Sequence, residues 1–360
     1  MRGLRSEVQL KRSTVGLVFL LLLGAAGCSA RPVARPPKVT PTPTSTASAS
    51  ETPRVLRMLH LTSKGGRYPG IFRVAPGAGW LAVSEACPGD CPDGPEAVWV
   101  VDSNTGKVLI KYPLPALGCS NDPMVEGGAA PFLAVDGQRD RVYVASCVRP
   151  LLFVLSAHAR KVQEVHLPAP LQGIAVDSSS DRVVVVVGKE VLILDNRNYQ
   201  IVGRLKLPAV GLSPLVDQDM VFILSPPKMF ILNLATQRLV RSAAIPRDTE
   251  CAAVDTGQRD LLLHSGGSPW ITEVAEDGKS LGRHRVPDSL VCDLVIDPSR
   301  GVVALASDSG QLFFLASSDL KTRTQLTVSS GGVGWLDLDE VDHLVYADDG
   351  EGIFVVSIPE

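Results

Sequence analysis

Residues 141–146 read Arg141-Val-Tyr-Val-Ala-Ser146, a run of β-branched and aromatic residues that favours a β-strand. The run follows Ala134-Val-Asp-Gly-Gln-Arg139 and precedes a second apolar run, Leu151-Leu-Phe-Val-Leu155. The same order of pieces recurs to the end of the chain: a strand ending near Asp, a tight turn, a second strand, a loop, a third strand, a turn and a fourth strand. Repetition on this scale predicts a repeat fold.

The aspartate that ends each first strand sets the length of the repeat. It recurs at Asp136, Asp177, Asp217, Asp255, Asp297 and Asp339, at intervals of 41, 40, 38, 42 and 42 residues. Pro76 is expected to hold the equivalent place in an earlier unit that carries insertions. Four strands in each unit of about 40 residues, with no helical periodicity, are typical of the blades of a β-propeller.

The two ends of the repeat region complement each other. The seventh unit supplies three strands before the chain reaches Glu360, and a spare strand, Arg54-Val-Leu-Arg-Met-Leu-His-Leu61, precedes the first unit. We therefore predict an all-β, seven-bladed β-propeller over residues 54–360, with the last blade closed by the N-terminal strand. Closure removes an open sheet edge. Two β-sandwiches or an open solenoid would not explain a missing strand at one end and a spare strand at the other.

These repeats resemble YVTN-type propellers, also called surface-layer-like or lactonase-like repeats. The resemblance covers about residues 54–360 and is carried by Ala134–Asp136, by Arg141–Ser146 and by Val100-Val-Asp-Ser-Asn-Thr-Gly-Lys-Val-Leu109. Ser146 stands where the family string ends in Asn. The resemblance implies the fold and leaves the function open, because one fold hosts many activities. Some similar propellers hold a metal or catalytic His and Glu on first strands in the central channel, whereas the first strands here carry mainly Leu, Val, Ala and Asp.

The N-terminus has the features of an export signal. Basic residues up to Arg12 precede the apolar run Val15–Leu23, which is too short to span a bilayer. The next residues, Gly24-Ala-Ala-Gly-Cys28, resemble the lipobox of bacterial lipoproteins, although Ala25 stands where Leu is usual. We predict that residues 1–27 are a lipoprotein signal peptide and that Cys28 receives the lipid. The alternative is an ordinary secretory signal with an incidental cysteine at its end.

Residues 28–53 form a predicted tether. Pro, Thr and Ser dominate the segment after Cys28, and it cannot bury a core. A partly polyproline chain of this length reaches roughly 75 Å at about 3.1 Å per residue. We therefore expect an exported domain held at the outer face of the cell membrane, or at the outer membrane of a diderm.

Composition limits the partners. The chain has 360 residues, a formal net charge of −3 and 45% hydrophobic residues, which is an ordinary globular balance. A weakly acidic chain without a basic run argues against a nucleic-acid partner. The predicted protein is a monomeric propeller without a cofactor.

Six cysteines remain after Cys28, which is an even number in an oxidising compartment. Fifteen pairings are possible. The repeat places all six near one end of the propeller, and we predict disulfides Cys251–Cys292, Cys119–Cys147 and Cys87–Cys91. The alternative for Cys87 and Cys91 is a zinc half-site, but no second Cys or His pair has suitable spacing.

Two insertions in the first unit, 84–96 and 117–131, are expected at the same end as the cysteines. We predict a binding rim there, with these candidate residues in the inter-blade loops: Asp122, Met124, Glu126, Arg247, Glu250, Asp293 and Trp335. The alternative is that these loops are merely long and solvated. Loops presented by a rigid scaffold are a common place for recognition.

Catalytic motifs are absent from the sequence. There is no His-Glu-x-x-His and no phosphate-binding glycine loop, and Gly211-Leu-Ser-Pro-Leu215 lacks the closing glycine of a nucleophile elbow. The acidic run Ala347-Asp-Asp-Gly-Glu-Gly352 lacks a calcium-loop pattern and is predicted to be a turn. We therefore expect no metal site and a non-enzymatic scaffold that binds an envelope protein or a glycan. A lactonase-like or lyase-like enzyme with a central-channel site is the alternative.

Overall fold

The computed structural model of the chain describes most of the repeat region. The described residues are 52–61, 69–85, 97–114, 132–146, 149–258, 260–265, 268–286 and 291–359. The predicted signal peptide and nearly all of the predicted tether lie outside them.

The described chain begins with β1 (Val55–Leu59), followed by the first four blades. Blade 1 contains β2 (Pro69–Ala75), β3 (Trp80–Glu85), β4 (Ala97–Asp102) and β5 (Val108–Pro113). Blade 2 contains β6 (Phe132–Asp136), β7 (Arg141–Ala145), β8 (Leu151–Ser156) and β9 (Val162–His166). Blade 3 contains β10 (Gly173–Asp177), β11 (Arg182–Val187), β12 (Glu190–Asp195) and β13 (Ile201–Lys206). Blade 4 contains β14 (Pro214–Asp217), β15 (Met220–Ser225), β16 (Lys228–Asn233) and β17 (Arg238–Ala244).

The remaining blades follow the same order. Blade 5 contains β18 (Thr249–Asp255), β19 (Asp260–Ser265), β20 (Trp270–Ala275) and β21 (Ser280–Arg285). Blade 6 contains β22 (Val291–Asp297), β23 (Val302–Ser307), β24 (Gln311–Ala316) and β25 (Thr322–Thr327). Blade 7 contains β26 (Trp335–Asp339), β27 (Leu344–Asp348) and β28 (Ile353–Ser357). Between β6 and β7 lies a short 3-10 helix, Gly137–Arg139, and no helix among the described residues is long and apolar enough to cross a membrane.

The seven sheets form a closed ring, which confirms the predicted seven-bladed β-propeller. The innermost strand of each blade lies beside that of the next, from β2 through β26 and back to β2. The N-terminal strand β1 completes blade 7 by antiparallel pairing with β28, from Val55 opposite Val356 to Leu59 opposite Ile353. The predicted closure is therefore correct.

Each blade is buried on both faces, as its continuous apolar runs predict. Within β11, residues Val183–Val187 are all at most 5% exposed. One set of these valines packs towards blade 2 and the alternate set towards blade 4. Side chains of one strand thus stabilise two inter-blade interfaces, because successive residues of a strand point to opposite faces.

The alternation of strand direction gives the ring two ends. We call one end the lower face; it carries the turns from first to second strands and from third to fourth strands. The upper face carries the loops from second to third strands and the connections between blades. Every first strand therefore runs from the upper to the lower face, and β1 runs from the lower face upward.

The repeated aspartate ends the innermost strand in blades 2 to 7, as predicted, and is at most 8% exposed in each. In blade 1 the equivalent residue is Ala75, whose partner across the turn is Trp80, as Asp136 is paired with Arg141. The predicted equivalence with Pro76 is wrong by one residue, because Pro76 lies in the turn itself.

The aspartates connect neighbouring blades as well as closing turns. Asp297 Oδ1 accepts from the amides of Ser299 and Arg300, while its Oδ2 lies 2.7 Å from His343 Nδ1 in blade 7. Asp339 accepts at 3.1 Å from the amide of Gly77 in blade 1. Asp297 thus serves its own turn with one oxygen and the next blade with the other, and Asp339 likewise bonds both its own turn, at the amides of Val341 and Asp342, and the next blade.

Candidate functional site

Charged side chains occupy one sector of the central channel. Apart from the strand-ending aspartates, the charged residues of the described innermost strands are Arg73, Glu250, Asp293 and Asp337. Arg73 and Asp337 stand two residues before the end of β2 and β26, which are adjacent strands. The same position elsewhere holds small or aliphatic residues: Ala134, Ala175, Leu215, Ala253 and Val295. The charges are therefore a local departure from the repeat.

Two of these carboxylates bind the edge of the following blade. Asp293 Oδ2 accepts a hydrogen bond from the Leu336 amide at 3.0 Å, and Asp337 Oδ2 accepts one from the Val74 amide at 2.6 Å. An innermost strand pairs on one side only, so its other edge presents backbone amides that need acceptors. The two aspartates supply acceptors from blade 6 to blade 7 and from blade 7 to blade 1.

The environment of this acidic pair disfavours negative charge. Burial among protein atoms raises the pKa of Asp293 to about 6, against the opposing effects of the Leu336 amide and Arg73. Burial likewise raises the pKa of Asp337, and Arg73 and the Val74 amide partly offset that rise. Both residues as a whole are partly exposed to solvent. The channel can therefore exchange protons with solvent at this point.

Replacing Asp293 by Asn is expected to raise the free energy of unfolding near about pH 8 by ~1–2 kcal/mol and to change it little near about pH 3, below the pKa of an unfolded Asp. Because its folded pKa is raised to about 6, the native protein binds this proton more tightly than the unfolded chain does. The resulting stability is present at low pH and is lost as the pH rises through 6. Urea unfolding at both pH values measures the difference.

Asp102 provides the control for that experiment. Hydrogen bonds from Thr105 lower the pKa of Asp102, so its contribution to stability has the opposite sign and is lost as the pH falls. Asp102→Asn should therefore destabilise the protein near neutral pH. An equal response of Asp293→Asn at both pH values would contradict the proposed protonation of the channel.

The channel pair lacks the partners of a familiar catalytic centre. Among the described residues, no group of three or more His, Cys, Asp or Glu side chains is arranged to hold a metal ion. His264 is fully buried in β19, where its Nε2 lies 2.8 Å from the Ser268 carbonyl and burial lowers its pKa. The arrangement can hold and release protons and can accept hydrogen bonds, and it connects three blades.

The predicted rim residues fall in two kinds of place. Arg247 lies in the connection between β17 and β18 and is exposed. Glu250 lies within β18, where the pairing with β19 shifts register between Thr249 and Cys251. Asp293 and Trp335 also lie within innermost strands, not in the inter-blade loops; Trp335 begins β26 and is 37% exposed. Asp122, Met124 and Glu126 lie outside the described residues.

The described residues include only two of the cysteines for which predictions were made, Cys251 and Cys292. Cys28, Cys87, Cys91, Cys119 and Cys147 lie outside the described residues. Cys251 lies in β18 with its Sγ 3.8 Å from His264 Nδ1, and Cys292 belongs to the adjacent innermost strand β22. The side chain of Cys292 is outside the described part of the chain, so the Cys251–Cys292 disulfide stays a prediction.

The acidic run on the upper face forms a turn, as predicted. Asp348 Oδ1 accepts from the Gly350 amide at 2.9 Å, and Asp349 Oδ1 accepts from the amides of Glu351 and Gly352. Burial raises the pKa of Asp348 to about 7. The carboxylates of Asp348 and Asp349 thus accept hydrogen bonds from the backbone of their own turn.

A cleft of about 290 Å³ opens on the lower face between blades 2 and 3. The three arginines that line it already have partners. Arg139 and Arg197 both contact Asp181, and Arg141 donates to the Asn196 carbonyl and lies over the Tyr199 ring. The cleft is therefore part of the inter-blade contact.

Sequence reasoning missed Arg73 and Asp337. The signal that could have found them is the aligned repeat itself, in which these positions are charged in two adjacent units and apolar elsewhere. No protein-family model matches the chain, and none of the curated proteins matches it. Its function must therefore be inferred from its own sequence and structure.

Proposed function

We propose that this chain is an exported lipoprotein whose propeller is a non-enzymatic binding scaffold at the cell envelope. The anchor would be a lipid on Cys28, and residues 28–53 would be the tether. The protein would stand at the outer face of the cell membrane, or at the outer membrane of a diderm.

The observation that carries the proposal is the unequal length of the upper connections. Between β3 and β4 the chain runs from Glu85 to Ala97, whereas the equivalent loop in blade 3 runs only from Val187 to Glu190. Between β5 and β6 it runs from Pro113 to Phe132, whereas β13 and β14 are joined by residues 207–213. The strand ends that each of these connections joins lie at the upper face. Insertions concentrated on one face of a rigid ring favour recognition there.

The partner we propose is a protein or a glycan of the envelope, bound by a monomeric propeller at the upper face. Arg247 and Trp335 offer an exposed cation and an exposed aromatic ring at that end. Such side chains are favoured in binding surfaces. The proposal needs neither a metal nor a cofactor, and nucleic acid is not among the partners proposed.

Site-specific cross-linking in cells tests the scaffold. A photoreactive residue at Arg247 or Trp335 should capture a reproducible envelope partner, and the same residue at Arg160, an exposed turn position on the lower face, should not. Cys28→Ala should weaken capture, and it should move the protein out of membranes that have been washed in about 0.5 M salt, which removes proteins held by charge alone. Equal capture from both faces would reject the upper-face site, and retention of Cys28→Ala on the salt-washed membranes would reject the lipid anchor.

The channel supports a second candidate function, a lactonase-like or lyase-like enzyme. The observation that favours it is the acidic pair, since a carboxyl with a pKa of about 6 beside Arg73 could act as a general acid. Turnover of a lactone panel that Asp293→Asn abolishes would establish this alternative. Unchanged turnover in that variant would show that the acidic pair of the channel is not the catalytic site.

A further inference from the structure

Charge is segregated along the radius of the propeller. The outermost strands carry one acidic residue, Glu164, and nine basic ones: Arg57, Lys111, Arg204, Lys206, Arg238, Arg241, Arg283, Arg285 and Arg323. The innermost strands carry one basic residue, Arg73, and nine acidic ones: Asp136, Asp177, Asp217, Glu250, Asp255, Asp293, Asp297, Asp337 and Asp339. The net charge of −3 therefore conceals outermost strands that are strongly basic.

The basic residues are densest on the adjacent outermost strands β13, β17 and β21, which we call the basic wall. These three strands contain Arg204, Lys206, Arg238, Arg241, Arg283 and Arg285 and no acidic residue. Exposed aliphatic side chains lie among them: Ile201, Val202, Leu239, Val240 and Leu281. Val240 is 58% exposed, more than any other large hydrophobic of this wall.

Few of these cations are neutralised within the protein. Arg204 lies 3.9 Å from Glu190 and Arg241 lies 3.8 Å from Asp277, both in exposed ion pairs that stabilise little. Arg283 lies over the ring of Trp270, 5.4 Å from its centre. No carboxylate of the described residues lies within 4 Å of the other three wall cations, Lys206, Arg238 and Arg285.

Protection of a free strand edge explains only half of this surface. Charged residues on an outermost strand prevent it from pairing with another chain. Aliphatic residues have the opposite effect, yet in β17 Leu239 and Val240 stand beside Arg238 and Arg241 and all four are exposed. Basic and aliphatic groups together are instead typical of surfaces that lie on anionic membranes.

We infer that the basic wall docks the propeller reversibly on anionic phospholipid. The cations would contact headgroup phosphates, while Val240, Leu239 and the exposed Trp270 would enter the headgroup layer. A hydrated polyanion would satisfy the cations and leave the aliphatic side chains exposed, so the observations favour lipid. Docking does not require the proposed anchor on Cys28, which would only keep the domain close to the bilayer.

Vesicle flotation tests the inference on residues 28–360 carrying Cys28→Ala, a chain that retains every strand of the propeller. We expect binding to phosphatidylcholine vesicles containing about 30% phosphatidylglycerol, loss of binding without the anionic lipid, and loss at about 0.5 M salt. Arg238→Glu/Arg241→Glu should weaken binding by at least ~tenfold, because it reverses two wall charges. The matched control Arg160→Glu/Arg323→Glu reverses two exposed cations outside the wall and should retain at least most of the binding.

A second variant distinguishes lipid from a soluble polyanion. Leu239→Ser/Val240→Ser keeps every charge and should weaken vesicle binding several-fold. Unchanged binding in this variant, with full competition by polyphosphate, would replace the lipid assignment by a polyanion site. Failure of the parent chain to bind anionic vesicles, or unchanged vesicle binding by the Arg238→Glu/Arg241→Glu variant, would overturn the inference and leave edge protection as the role of the cations. None of these results bears on the Cys28 anchor.

Discussion

Deletion of residues 52–61 is expected to unfold or aggregate the propeller. This segment supplies β1, whose removal exposes the edge of β28 and takes Leu59 and Leu61, 2% and 3% exposed, from the core between blades 7 and 1. The lost burial and strand pairing cost on the order of 5 kcal/mol, comparable with the whole stability of a typical domain. Thermal unfolding and size-exclusion chromatography measure the effect.

A matched deletion separates the strand from the tether. Removal of residues 29–51 should leave the melting temperature unchanged, because every residue of β1 remains. A synthetic peptide of residues 52–61, added to the strand-deleted protein, should restore the monomer by pairing with β28. A strand-deleted protein that melts like the parent would show that the other blades can close the ring without β1.

Replacement of Asp136 by Ala is expected to destabilise the protein by about 3 kcal/mol. Its fully buried carboxylate accepts from Ser178 Oγ at 2.9 Å and from Asn196 Nδ2 at 2.7 Å, both in blade 3, and it also contacts Arg139. Asn196 in turn accepts from the Tyr143 hydroxyl. Removing the carboxylate leaves buried donors without an acceptor, and urea unfolding reports the cost.

Asp219→Ala is the control for this network. Asp219 occupies the first-to-second-strand turn of blade 4 and is exposed, so its loss should change the free energy of unfolding by less than about 0.5 kcal/mol. If Asp136→Ala changed the free energy of unfolding as little as Asp219→Ala does, apolar packing alone would hold blade 2 against blade 3.

The repeat made the fold predictable in detail. The predicted strand Leu151–Leu155 lies within β8 (Leu151–Ser156), and the run Arg141–Ser146 contains the whole of β7 (Arg141–Ala145). Such agreement is possible because a strand buried on both faces is an uninterrupted apolar run bounded by turns. A count of strands was enough to predict that the spare strand before the first unit completes the last blade.

The candidate site was less accessible because its contacts cross between blades. Asp293 was predicted in a rim loop, yet it lies inside β22 and binds an amide of blade 7. Asp337 and Arg73 are far apart in the chain and become neighbours only when the ring closes. The basic wall has the same origin, since its cations are spread over three units and come together only because the three blades are neighbours in the ring. Local patterns define a blade; the order of blades around the ring defines these surfaces.

The position of β1 also determines how the domain carries mechanical force. The chain ahead of Val55 enters at the lower face, and β1 then runs upward beside β28. A pull between that entry point and a partner held at the upper face draws β1 along its own axis, so its hydrogen bonds with β28 bear the load together in shear. A pull from a partner at the lower face would instead peel the pair apart from Val55 onward, one bond after another. The ring is thus mechanically strongest when it is loaded from the upper face.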